Sequence, residues 1–145
     1  MELDIFQPKY ASLLTSHGYS VEHLGSILMG IGYDYTSANT KKAKIEASKV
    51  IEQLLYYEII EVNNWGKYEW LFKDISLDKT DIVKISYNMM LKVKEYHEYY
   101  EMIYFKYTSW YYDYHEKSGI NIDTDWNWFN EKFVPNIKKW IKENR

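Results

Sequence analysis

A mainly α fold, a compact helical domain with one small β-hairpin that gives a winged-helix-like element, is what this 145-residue sequence predicts. Three observations carry that expectation. Apolar residues recur every three or four positions over 40–57, and again from Asp78 to beyond residue 110. Between those runs two alternating stretches, "EIIEV" and "KYEWLF", flank the turn-forming "NNWG". No repeat, low-complexity tract or Gly/Ser/Pro-rich linker interrupts the chain, so residues 1–145 read as a single domain with the hairpin near 58–72.

The elements follow in order. Pro8 opens a short helix over 9–17 that Gly18 closes. Ser20 can cap a second helix whose stripe is Val21, Leu24, Ile27, Leu28 and Ile31, and Gly30 and Gly32 end it. "YDYTSANT" is a polar loop. Over 40–57, Ala43, Ala47, Val50, Leu54 and Tyr57 share one helical face while Lys41, Lys42 and Lys49 project outward. In the hairpin, Ile60 and Val62 share a face, as do Tyr68, Trp70 and Phe72. Asp78 and Asp81 suit the start of a helix, by capping and by the dipole. From there Ile82, Ile85, Met89, Val93, Tyr96, Tyr100, Ile103, Tyr107, Trp110 and Tyr114 step at helical spacing, with no Gly or Pro before Gly119. One unbroken helix would run about 58 Å at 1.5 Å per residue, so a kink or break is expected near 91–97. The tail reads as one or two short helices split near Pro135, packed through Trp126, Phe129, Phe133, Ile137, Trp140 and Ile141.

Composition removes several functions. Cysteine is absent, which excludes disulfides, thiolate metal sites and a Cys nucleophile, and fits a reducing cytoplasm. The amino terminus "MELDIFQPKYASLL" begins with acids and shows no signal pattern, and no run reaches the roughly 18 apolar residues of a membrane span. A cytoplasmic protein without membrane contact is the expectation. Net charge is only −3, but residues 95–131 hold eight acids and two bases, a net of −6, leaving +3 for the rest. The single arginine is Arg145, which disfavours a nucleic-acid or phosphate partner.

Segment 95–116, "EYHEYYEMIYFKYTSWYYDYHE", contains ten Tyr, Trp or Phe among 22 residues. On a helix, Tyr96, Tyr99, Tyr100, Ile103, Tyr107, Trp110, Tyr111 and Tyr114 would make one inward stripe. Tyr104, Phe105 and Tyr112 fall off that stripe, beside acids. Large rings with a polar tip suit a docking surface, and carboxylates around them favour a basic partner. The candidate partner-binding residues are therefore Glu98, Glu101, Tyr104, Phe105, Tyr112, Asp113, Glu116, Asp123 and Asp125.

No motif points to catalysis. HExxH, a Glu three residues before a His, GxGxxG, the phosphate-loop pattern and GxSxG are all absent. His97 and Glu101 would lie one helical turn apart but read as a solvated pair, and Asp123 with Asp125 reads as capping acids. A non-enzyme with no cofactor and no metal is expected. The alternative is a winged-helix-like DNA-binding protein. In "LLTSHGYSVEHLGSIL", Leu14, Gly18, Leu24 and Ile27 match a helix-turn-helix, and Lys41, Lys42, Lys44 and Lys49 could meet phosphates. Against it, residues 21–31 hold no Arg, Lys, Asn or Gln to read a base edge.

The combination of "KKAKIEASKVIEQLLYYEIIEV", a short Trp-containing hairpin, and helices in an acidic Tyr/Trp-rich half resembles small bacterial immunity proteins of contact-dependent and polymorphic toxin systems. The resemblance covers about residues 40–130. It implies a cytosolic, non-catalytic inhibitor that binds a cognate toxin, often a nuclease, with acids opposing a basic toxin cleft.

Overall fold

The computed structural model describes residues 3–15, 22–121 and 123–145. Helices dominate, joined by a small three-stranded antiparallel sheet whose strands β1 (Glu22–His23), β2 (Ile60–Asn64) and β3 (Tyr104–Tyr107) lie in the order β1-β3-β2. Pro8–Leu14 forms a 3-10 helix that buries Tyr10, Ala11 and Leu14, and Thr15 leaves it in an extended conformation. Gly18, Ser20 and Val21 lie outside the described residues. A two-residue strand β1 (Glu22–His23) leads into α1 (Leu24–Ile31), with His23 as its N-cap and Gly32 closing it at φ +120. In the polar loop, Asp34 Oδ1 accepts from the backbone amides of Thr36 and Ser37 and from both hydroxyls.

Helix α2 (Lys41–Tyr56) is the spine. Thr40 caps it, its hydroxyl accepting from the Ala43 amide at 3.2 Å. Ala43, Ala47, Val50, Ile51, Leu54 and Leu55 are buried, and α2 packs on α1 and along α4 (Lys79–Lys92). The amino-terminal segment is tied to this spine by Glu46, which accepts from Tyr10 Oη at 2.7 Å and Tyr33 Oη at 2.5 Å and pairs with Lys9 at 2.7 Å. Lys44 points inward, and its burial lowers the ammonium pKa.

Strand β2 (Ile60–Asn64) follows, but the expected hairpin does not form. Its second arm is helical: a 3-10 turn at Gly66–Tyr68 runs into the short α3 (Glu69–Phe72). In "KYEWLF", Tyr68 and Phe72 are two apart from Trp70 and four apart from each other, so the stretch satisfies either period. As a helix it buries part of Tyr68 and Phe72, sets Phe72 on Trp65 at 4.7 Å, and turns Trp70 out. Gly66, at φ +59, sits against the carbonyl oxygens of Glu101 and Met102, where a Cβ would collide.

The true partner of β2 comes from the aromatic segment. Helix α4 starts at the Asp78/Asp81 capping box and stops at Lys92, inside the range expected for a break. Helix does not resume there. Tyr96–Glu101 is a 3-10 turn, and Tyr104–Tyr107 is β3, the central strand, in register with Ile60–Asn64 on one side and Glu22–His23 on the other. The inward helical stripe expected across 96–107 is thereby corrected. A run so dense in rings shows an apolar residue at every third, fourth and second position alike, so its period decides nothing. The unpaired edge of β2 decides, because its backbone groups need partners. Thr108 then begins α5 (Ser109–Lys117) and bonds back to the Glu58 and Ile59 carbonyls.

The tail is one rod. Helix α6 (Trp126–Trp128) passes through a π turn at Phe129–Phe133 into α7 (Val134–Asn144). Pro135 lacks an amide and its ring crowds the carbonyl four residues back, so the helix widens there instead of splitting. Phe129, Phe133, Ile137 and Ile141 are buried, while Trp140 stacks on Trp110 at 5.0 Å. No helix of the described residues is long and apolar enough to cross a membrane.

Candidate protein-binding surface

The 3-10 turn at 96–101 positions the first acids. Glu98 reaches back to its own N-terminus, accepting from the Lys94 amide at 3.1 Å and the Glu95 amide at 3.0 Å. These two backbone donors, Glu95 first, hold its carboxyl below the usual pKa. Glu98 therefore stays charged and fixed in direction. Glu101 is exposed and only 3.4 Å from Lys67, a surface pair of small energetic weight. His97 meets Glu95 at 3.3 Å, so in this turn it and Glu101 have different partners.

The rings separate sharply. Phe105 belongs to the core: it is fully buried at the centre of the sheet, opposite Glu22 and Val62, and is withdrawn from the docking surface. A strand alternates faces, so Phe105 turns inward while Tyr104 is half-buried, its hydroxyl donating to the Tyr100 carbonyl at 2.9 Å. Tyr99 and Tyr111 are also enclosed, and Tyr111 Oη donates to the Leu14 carbonyl. Other rings of the same half stay open: Tyr100 is 55% exposed, Trp126 49%, Trp128 43% and Tyr112 38%.

Each of these open rings has carboxylates beside it. Tyr100 lies between Glu98 and Glu101 in the 3-10 turn. Tyr112, Asp113 and Glu116 all face outward on α5. Asp123 and Asp125 are exposed before α6, and Asp125 caps it by accepting from the Trp128 amide at 3.0 Å. Trp126 leans on Phe129 with planes 7° apart and centroids 5.1 Å apart, leaving its other face to solvent. The α6–α7 rod and α5 are joined through Phe133, 5.9 Å from both Tyr114 and His115. The structure thus places Tyr112, Asp113 and Glu116 on one helix and Asp123 with Asp125 at the head of the rod packed against it.

Sequence reasoning assigned Tyr100 and Trp126 to the core and gave Trp128 no role, so all three were missed as surface rings. A signal was present for the tryptophans. Residues two apart on a helix point away from each other, so 126 and 128 cannot both face inward. The same argument covers Trp70, which is 77% exposed between the inward Tyr68 and Phe72, with Leu71 and Ile75 also open beside it.

Shallow grooves on the rest of the surface include one along α2 and one between the end of α2 and α7. One, about 750 Å³, is lined by Tyr10, Lys41, Lys42, Glu46 and Lys49 among others, and the other, about 700 Å³, by Tyr57, Glu58, Lys138, Ile141 and Arg145 among others. Neither has a histidine in its lining. Among the described residues no group of three or more His, Asp or Glu is placed to hold a metal. Lys41, Lys42 and Lys49 are exposed as expected, but Lys44 is buried and cannot reach a phosphate. With α3 in place of a second arm, the wing that DNA binding would have used is missing among the described residues. Comparison of the chain with protein-family models, with curated proteins and with solved structures gives no match.

Proposed function

We propose that this chain is a non-catalytic protein-binding module that neutralises a cognate toxin domain, in the manner of small bacterial immunity proteins. One observation carries the reading: large rings stay open to water in the acidic half, and each stands beside fixed or exposed carboxylates. Tyr and Trp deliver large contact areas at low entropic cost, and they dominate binding hot spots. Carboxylates around them steer a basic surface into place. The binding set is Tyr100, Glu98 and Glu101 with Tyr112, Asp113, Glu116, Asp123, Asp125, Trp126 and Trp128; Tyr104 lies at its inner edge.

The test is a binding titration between the full chain and a basic toxin domain encoded beside it, with survival on co-expression as the second readout. A one-to-one complex is expected. Trp126→Ala, Trp128→Ala and Tyr112→Ala should each leave the circular dichroism spectrum intact, and at least one should speed dissociation about tenfold or more. Failure to form a complex, or wild-type dissociation in all three variants, would remove the reading.

A further inference from the structure

Four tyrosines and one histidine from separate segments converge on one spot. His23 of β1 lies 4.8 Å from Tyr100, 5.7 Å from Tyr104 and 6.2 Å from Tyr96 between ring centroids. Tyr35, from the loop after α1, stands 4.7 Å from Tyr96 at 86°, and Tyr100 stands 6.1 Å from Tyr96 at 83°. Two well-exposed rings are thus each set almost perpendicular to a third, half-buried one. The arrangement is held from below. Tyr96 lies against Gly25, where a Cβ would come within 2.8 Å of its Cζ. His23 Nδ1 accepts from the Ser26 amide at 3.2 Å, and Tyr104 is tied to the Tyr100 carbonyl.

The charge around these rings has one sign. Segments 22–23, 34–35 and 95–104 carry Glu22, Asp34, Glu95, Glu98 and Glu101 and no Lys or Arg. Lys67 pairs with Glu101 at 3.4 Å, and Lys94 flanks the last segment. Aromatic faces attract cations through their quadrupole, and carboxylates nearby deepen the well. We propose that Tyr35, Tyr96 and Tyr100 form a receptor for a cationic side chain of the partner protein, with arginine preferred because its planar guanidinium stacks on a ring. This rests on the protein-binding reading above and names the anchor that the partner inserts.

The test does not need the toxin. Acetyl-Gly-Arg-Gly-amide and its citrulline counterpart, isosteric but uncharged, are titrated into the full chain while the aromatic proton resonances are followed. The arginine peptide should shift Tyr35, Tyr96, Tyr100 and His23, and citrulline should not. Tyr100→Ala and Tyr35→Ala should weaken binding by about 3- to 30-fold, the range of a cation–π contact, whereas Tyr100→Phe keeps the ring face and should bind like wild type. No ring response, equal response to citrulline, or unchanged binding in both alanine variants overturns the site. A toxin complex that forms while the peptide arm is silent overturns this site and leaves the protein-binding reading standing. A peptide response without any toxin complex does the reverse.

Discussion

His23 joins the backbone to the aromatic surface. Its Nδ1 caps α1 by accepting from Ser26, so its neutral form carries the proton on Nε2, and partial burial lowers its pKa from 6.5. Protonation would remove that acceptor. With the folded value below the unfolded one, the unfolded chain binds the extra proton first. The stability His23 confers is complete above about pH 6.5 and is lost as pH falls through the lower folded value. Asn also caps well and does not titrate. The wild type should therefore lose more Tm than His23→Asn between pH 7.5 and pH 5, as thermal unfolding at both pH values would show. Lys44 is the complementary case. No carboxylate among the described residues pairs with this buried ammonium, and burial lowers its pKa from 10.5. Its cost is full at neutral pH and relaxes as pH climbs toward 10.5. Lys44→Met should stabilise the fold by up to about 1 kcal/mol at pH 7, with the gain shrinking as pH climbs toward 10.5 in urea titrations.

At the scale of elements, local chemistry fixes the ends and long-range pairing fixes the middle. The Asp78/Asp81 box is reciprocal, each side chain accepting from the other's backbone amide at 2.8 and 3.2 Å. Asp78→Ala should cost about 1 kcal/mol, measured by chemical denaturation. Gly66 matters for a different reason: a side chain there would need both a left-handed backbone and space already held by the Glu101 and Met102 carbonyls. Gly66→Ala should destabilise by more than about 1 kcal/mol and loosen α3 from the 96–101 turn, seen as faster amide exchange in both. The Asp78 start and the helix over 40–57 were legible in the sequence because each rests on a cap or a period within a few residues, and the stop near 91–97 was legible from the length an unbroken helix would have reached. The β3 strand was not. Tyr104–Tyr107 is chosen by a partner strand more than forty residues away, and saturation with rings erased the pattern that would have shown it. The same degeneracy hid the inward turn of Phe105 and the outward turn of Tyr100. The acids were legible as a group because charge, unlike burial, is a property of the residue itself.

Across the whole molecule, that charge is laid out unevenly. Residues 95–131 carry −6 and the remainder +3. Several cations of the remainder are already engaged: Lys138 with Asp4 at 3.3 Å, Lys79 and Arg145 with Glu58 at 3.7 and 2.6 Å, and Lys9 with Glu46 at 2.7 Å. The acids on α5 and before α6 form none of the ion pairs found among the described residues. The field seen by an approaching partner is thus dominated by the aromatic half. Such a field acts over roughly 10 Å at 0.1 M salt, and only about 3 Å at 1 M. It accelerates encounter, while the stacked and buried rings govern how long the complex lasts. Raising salt from 0.05 to 0.5 M should therefore slow association with a basic toxin domain by about tenfold or more and leave dissociation nearly unchanged. Charge reversal at Asp113 and Glu116 together should remove most of that salt dependence. Trp126→Ala should do the opposite, raising the dissociation rate at every salt concentration. If stopped-flow association proved insensitive to salt, acid-steered docking would have to be abandoned, whatever the rings contribute.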